Sequence, residues 1–275
     1  MTLPSWVIPG SAVLFCAACA VVQSPSERAR TLAEAAGFHA VVVSEAPLRA
    51  FVKNIPPATP SPRVTVYIES DGAPWRFPDE PPADPTPIRP LVLRMAIADA
   101  SAAVAYLGRP CQYLEKAELL KCDPELWMRG RFSNHAVAAM NLAVDRIKRT
   151  YGAAEVNLVG YSGGGAMAAL IAARRLDVSC LVTIAAPLDT HAWTDALRVS
   201  RLDLSLNPAD EADKLRNVRQ THFRGGRDRV VPAATSIRFF ERVPGAKVID
   251  RESFDHRCCW DDAWEELTRA SCLAQ

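Results

Sequence analysis

The 275-residue sequence contains no run of five like charges and almost no net charge, since 32 Lys and Arg stand against 31 Asp and Glu. A protein that holds nucleic acid through its phosphates needs a basic excess, so no nucleic-acid partner is expected. Disordered and fibrous structures are set aside by composition, with 49% of residues hydrophobic and 23% charged. No internal repeat is visible. No Gly-Lys-Ser/Thr follows the glycine-rich stretch at 160–165, which excludes a phosphate-binding P-loop. Beyond residue 19 there is no Cys-x-x-Cys pair and the histidines are dispersed, so no metal and no cofactor are expected.

Cysteine is the residue present in unexpected number. Eight are too few for a disulfide-framework miniprotein and more than a cytosolic chain usually carries. Residues 5–22 carry no charge, but Pro9 and Gly10 interrupt them and the run is short for a membrane span. It suits the apolar region of a signal peptide, although no Lys or Arg precedes it. Ala17 and Ala18 before Cys19 resemble the lipobox of bacterial lipoproteins, with Cys16 where that pattern prefers Leu. The resemblance implies a lipid anchor at Cys19 and association with a membrane. Secretion with cleavage nearby and a retained apolar N-terminus are the alternatives. The expected location is the bacterial cell envelope or periplasm, membrane-anchored or secreted. The expected division is a leader over 1–18, an N-terminal segment over 19–37 and one domain over 38–275.

Strands and helices alternate along that domain. A polar helix from Ser26 to about Gly37 precedes strands at 38–43, 48–52 and 64–69. Seven prolines between 74 and 90 exclude a helix or central strand there, because each lacks an N–H and fixes φ. That stretch reads as an ordered surface loop, since Trp75 and Phe77 sit inside it. A helix at 91–100 and a strand at 103–107 follow. Ser133 is a good N-cap for a helix to Thr150, with Val137, Met140, Ala143, Val144 and Ile147 on one face. The rest reads as strand 155–159, a small-residue helix 164–175, strand 180–185, an excursion over 187–216, strand 218–223, helix 233–242, strand 247–249 and a closing helix 260–273. Apolar strands alternating with helices predict an α/β fold, its central sheet mainly parallel with helices on both faces. Periodicity alone does not choose between a Rossmann-like fold, a TIM barrel and an α/β-hydrolase fold.

The segment Val159-Gly160-Tyr161-Ser162-Gly163-Gly164 makes that choice. It places Gly-x-Ser-x-Gly between a strand and a helix. A serine on such a turn is thrust beyond the sheet edge, with small neighbours leaving room for a strained backbone. The helix that follows directs N–H groups and its positive end toward the same spot, favouring a developing oxyanion. The stretch also contains Gly163-x-Gly165-x-x-Ala168, a dinucleotide-binding pattern, but no acidic residue stands at the required distance to hold a ribose. The Ser162 turn resembles the nucleophile elbow of the α/β-hydrolase superfamily.

That resemblance implies a histidine base and an acid in the order Ser, acid, His. His256 follows the strand at 247–249 and precedes the last helix, where the superfamily puts its base. His222 lies inside a strand and reads as structural, while His191 is a candidate substrate contact in the excursion. Gly225-Gly226-Arg227-Asp228-Arg229-Val230-Val231-Pro232 resembles the superfamily's acid turn and nominates Asp228, with Asp189 and Asp255 as rivals. The oxyanion donors are expected at the Gly163 N–H and, from the Asp71-Gly72 loop after the third strand, at Ala73, with Gly72 as the alternative. Some bacterial members with a Glu-Gly-Asp-Gly loop look similar there. Asp71, Gly72, Trp75 and Tyr161 are further candidates for substrate contact.

Six cysteines remain beyond Cys19. Cys180, on a buried strand, is expected to be a free core thiol; Cys111 and Cys122 close a short loop and are the first candidates for a disulfide. Cys258 or Cys259 is expected to bridge to Cys272 or to the Cys111 loop. The function implied is a serine hydrolase cleaving a small-molecule ester or thioester through an acyl-enzyme on Ser162. An acyltransferase or peptidase on the same residues, or a non-catalytic envelope-binding module, are the alternatives. The interval between strands 180–185 and 218–223 is too short for a large cap domain.

Overall fold

The computed structural model describes residues 23–42, 47–54, 61–73 and 80–274. The expectations at Cys16, Cys19 and Trp75 fall outside them. Helix α1 (Pro25–Ala35) is closed by a capping box between Ser24 and Glu27. Strands β1 (Phe38–Val42), β2 (Arg49–Lys53) and β3 (Arg63–Ile68) follow, then α2 (Leu91–Ala98) and β4 (Val104–Leu107). A short α3 (Lys116–Leu119) precedes α4 (Asn134–Thr150), which Ser133 caps through the Ala136 N–H. The second half runs β5 (Glu155–Tyr161), α5 (Gly163–Ala172), β6 (Val178–Ile184), α6 (Thr190–Leu197), α7 (Pro208–Glu211), β7 (Gln220–Gly225), α8 (Ile237–Arg242), β8 (Lys247–Arg251) and α9 (Trp264–Ala270).

The eight strands form one sheet in the order β1-β2-β4-β3-β5-β6-β7-β8. β1–β2 and β2–β4 pair antiparallel; every other pairing is parallel. The carboxyl ends of β3 to β8 therefore face one edge, where ligands of open α/β sheets bind. Side chains alternate between two cores. Val64, Val66, Ile68, Val156, Leu158 and Leu181 face α4 and α5, whereas Tyr67, Val159, Val182 and Ile184 face α2 and α9. Every residue of α5 is buried, and its small side chains let it lie close to the sheet. A Cβ on Gly164 would meet the Ile68 carbonyl oxygen at 2.3 Å.

Three expectations are corrected. The closing helix is shorter than 260–273, running over Trp264–Ala270 with a 3₁₀ turn at Cys272–Ala274. Trp260 folds back instead, its Nε1 donating to the Asp255 and His256 carbonyls. Cys180 is not a free thiol, since it pairs with Cys272, whose turn docks on β6 and β7 through the Cys272 N–H to Thr221 Oγ1 bond. Cys258 and Cys259 pair with each other rather than with Cys272 or the Cys111 loop. Cys111 pairs with Cys122. Among the described residues no helix is long and apolar enough to cross a membrane.

Candidate active site

Ser162 sits between β5 and α5 with φ 53° and ψ −127°. That conformation costs a non-glycine residue about 1–3 kcal/mol. The surroundings hold it: the Ser162 N–H donates to the Ile184 carbonyl at 2.8 Å, and its own carbonyl accepts from Gly165 at 2.9 Å. A Cβ on Gly160 would meet the Gly164 carbonyl oxygen at 2.2 Å, so the turn closes only with glycine there. The hydroxyl is thereby carried past the sheet edge.

The turn after β7 brings Asp228 to the same edge. Its N–H donates to the Gly225 carbonyl, while the neighbouring Gly226 and Arg227 N–H groups bond the Arg251 and Phe254 carbonyls beside β8. The Asp228 side chain is fully buried, and its Oδ1 accepts from the Val230 and Val231 N–H groups at 2.8 Å each. Its Oδ2 lies 2.8 Å from His256 Nδ1, and His256 Nε2 lies 3.1 Å from Ser162 Oγ. A carboxylate only accepts, so Nδ1 carries the proton and Nε2 is left to accept from the serine hydroxyl. The loop bearing His256 is held by the Tyr161 hydroxyl, which donates to the His256 carbonyl at 2.5 Å.

The rival acids are occupied elsewhere. Asp189 caps α6 through the His191 and Ala192 N–H groups and accepts from Asn207 Nδ2. Asp255 accepts from the Arg257 and Cys258 N–H groups. His222 is buried, bonded to Thr183 and Gln220, and pushed down to about 3 by burial and then by Arg224. His191 is exposed on the first turn of α6, and no hydrogen bond joins its ring to Ser162, His256 or Asp228. The Tyr161 hydroxyl proton goes to the His256 carbonyl, which sets the residue against the loop that bears His256.

One expected oxyanion donor is corrected. The Ala73 N–H donates to the Pro85 carbonyl at 3.1 Å, so the proline-rich segment has claimed it. Gly72, at φ +91°, packs so tightly on Pro85 that a Cβ would meet its carbonyl oxygen at 1.8 Å. Among the described residues no group accepts from the Gly163 N–H or the Asp71 N–H. The Asp71 carboxylate occupies the position of a Cβ on Gly163, its Oδ1 2.0 Å from that point. Both carboxylate oxygens are engaged, by Arg109 Nη1 at 3.2 Å and Arg131 Nη1 at 2.8 Å. On the other side of the loop Glu69 is buried, accepting from the Ser70 N–H and the Tyr106 hydroxyl, and burial pushes its carboxyl up. Sequence reasoning missed Glu69, Arg109, Gln112 and Arg131. The acidic Glu-Ser-Asp-Gly stretch was the available signal, for it has no basic neighbour within the turn.

A family model described as the alpha/beta hydrolase fold matches residues 111–245. Among solved structures, Est1E from Butyrivibrio proteoclasticus is similar at 13% identity, covering 87% of this chain and 100% of that one with a TM-score of 0.58. The Pyrococcus furiosus esterase Pf2001 is similar at 13% identity, covering 86% and 93% with a TM-score of 0.58. The Pyrococcus horikoshii acylaminoacyl peptidase is similar at 10% identity over 80% of this chain and 37% of its own, also with a TM-score of 0.58. No curated protein matches the sequence. The chain has the α/β-hydrolase fold, an eight-stranded mostly parallel sheet with no large cap domain among its described residues. Identities this low carry the fold and nothing finer.

Proposed function

We propose that this protein is a serine hydrolase that cleaves a carboxylic ester or thioester through an acyl-enzyme. The observation that carries the reading is the continuous chain Ser162 Oγ, His256 Nε2, His256 Nδ1, Asp228 Oδ2, with links of 3.1 and 2.8 Å. His256 takes the hydroxyl proton as Ser162 Oγ attacks the carbonyl carbon, and Asp228 stabilises the imidazolium that results. The carbonyl electron pair moves to oxygen, which accepts from the Gly163 N–H and, in place of Ala73, the Asp71 N–H. Collapse expels the alcohol or thiol, which takes its proton from His256. A water deprotonated by the same Nε2 then attacks the acyl group, and Ser162 regains its proton as the acid leaves.

A fluorophosphonate probe tests this directly. Wild type is expected to label and Ser162→Ala not to; a folded wild type that resists labelling overturns the enzyme reading in favour of a binding module. A chain-length series of p-nitrophenyl esters then defines the acyl group, and added amines or alcohols as acceptors separate a transferase from a hydrolase. We also infer export to a bacterial envelope with an anchor at Cys19, supported by the uncharged residues 5–22 and the paired cysteines downstream. Cys19→Ala protein is expected to leave the membrane fraction, and retention there overturns the anchor.

A further inference from the structure

Resting on that reading, we propose that Arg109 and Arg131 are positioning residues for the oxyanion side of the site, acting through Asp71. The oxyanion must form beside the Gly163 N–H, at the N-terminal end of α5. Asp71 places a carboxylate against this same glycine, filling the volume a side chain at 163 would need. A second negative charge at that helix end would oppose the one that develops during reaction. Two guanidinium groups answer it, one on each carboxylate oxygen. The three side chains together carry a charge of +1, so the cluster attracts the oxyanion instead of repelling it.

The arrangement is also mechanically closed. Arg109 Nη2 donates to the Arg131 carbonyl at 2.6 Å, and Arg131 Nε donates to the Met128 carbonyl at 2.6 Å. The Arg109 side chain is 4% exposed and its guanidinium lies 5.0 Å from the centre of the Phe132 ring. Its backbone N–H donates to Gln112 Oε1, and Gln112 Nε2 donates to the Ser70 and Pro85 carbonyls. The arginines thus tie Asp71 to the segment that also fixes the residues before and after it. The backbone at Asp71 is held from both flanks, and with it the N–H assigned to the oxyanion.

Arg109 is costly to keep. Its Nε is buried without a hydrogen-bond partner among the described residues. A buried ion pair is weak evidence of a stabilising role, since replacing such a pair with well-packed apolar side chains is often neutral. Burial pushes the Asp71 carboxyl up, but Arg131 and Arg109 beside it more than offset this and hold it below the usual carboxylate range. Asp71 therefore stays ionised, and its neutralisation depends on the arginines rather than on a proton.

The test compares a tetrahedral adduct with a ground-state mimic. Arg131→Met is expected to lower kcat about 10- to 100-fold with KM changed less than about threefold, the range below loss of a direct oxyanion donor. Affinity for a trifluoromethyl ketone, which forms an oxyanion adduct on Ser162, should fall by the same factor as kcat/KM, while affinity for the matching methyl ketone stays constant. Removing the carboxylate as well, in Arg131→Met with Asp71→Asn, should recover part of the loss, since the uncompensated charge is gone. An Arg131→Met enzyme with unchanged kcat overturns the proposal, as does one losing both ketones equally. Arg109→Met, whose folding is checked by circular dichroism, should behave in the same direction. A wild type that neither labels at Ser162 nor hydrolyses esters would instead defeat the functional reading on which this rests.

Discussion

The two sides of the Ser162 hydroxyl are built by different means. On the histidine side, three short stretches carry the geometry: the turn at 160–164, the turn at 225–231 and the loop at 254–260. Each is held mostly by bonds to its own neighbours or to the adjacent strand. On the oxyanion side, the loop after β3 is held by Pro85, Gln112, Arg109 and Arg131, which come from well-separated parts of the chain. A turn made by adjacent residues can be recognised from adjacent residues. A turn held by distant side chains cannot.

The largest expected effect is on the histidine side. Asp228→Asn should lower kcat by about 10⁴-fold, because an amide can donate to Nδ1 and leaves the imidazole in the wrong tautomer. Asp189→Asn should leave kcat nearly unchanged and lower stability by about 1 kcal/mol, because the amide can still cap α6 but the charged bonds to Arg238 and Asn207 are lost. Steady-state kinetics and thermal melts of both variants check this. A dead Asp189→Asn enzyme with an active Asp228→Asn would reassign the acid.

The next effect falls on the oxyanion side. Gly163→Ala puts a methyl group where the Asp71 carboxylate now lies. Displacing that loop by an ångström should lower kcat/KM by about 100-fold with the fold intact. Unchanged kinetics would mean the two sides are not in contact in the way described. Tyr161→Phe should cost less, about fivefold in kcat, because it removes one hydrogen bond to the His256 carbonyl while Trp260 retains another.

The same division explains what was legible beforehand. Ser162, Asp228 and His256 were named from local patterns, and the strand–helix alternation placed each of the eight strands to within a few residues. Ala73 was misassigned because its competitor, the Pro85 carbonyl, lies across a proline-rich segment with no periodicity to orient it. Cys180 looked like a core thiol because its strand is apolar, while its partner Cys272 is 92 residues away and marked by nothing local. Arg109 and Arg131 carry no local pattern that ties them to Asp71, which lies 38 and 60 residues away in the chain.

The two larger disulfide loops extend the contrast to stability. By loop-closure entropy alone, losing Cys180–Cys272 should cost about 4.5 kcal/mol and losing Cys111–Cys122 about 3 kcal/mol. Activity should rank them in reverse. Cys111 directly precedes Gln112, which holds the oxyanion loop, whereas Cys272 lies on the sheet away from the carboxyl edge. Cysteine-to-serine variants measured by denaturant melts and by kcat check both orders.

Acid separates the sides with the smallest effect near neutral pH. Asp71 has a folded pKa below its unfolded value, so its contribution is complete above about pH 4 and lost only as pH falls through the folded value. His222, inside β7, is held neutral in the fold down to about 3 by burial and Arg224. The unfolded chain binds a proton there from about pH 6.5 downward, so it holds more protons than the folded chain and stability falls as the pH falls, by up to about 1.4 kcal/mol per unit. Mild acid should therefore weaken β7, which leads into the Asp228 turn, while leaving the Asp71 cluster charged. Melting temperatures between pH 7 and 4.5 should decline for wild type and decline less for His222→Gln, whose amide does not titrate. Identical slopes for the two proteins would place the acid sensitivity elsewhere in the fold.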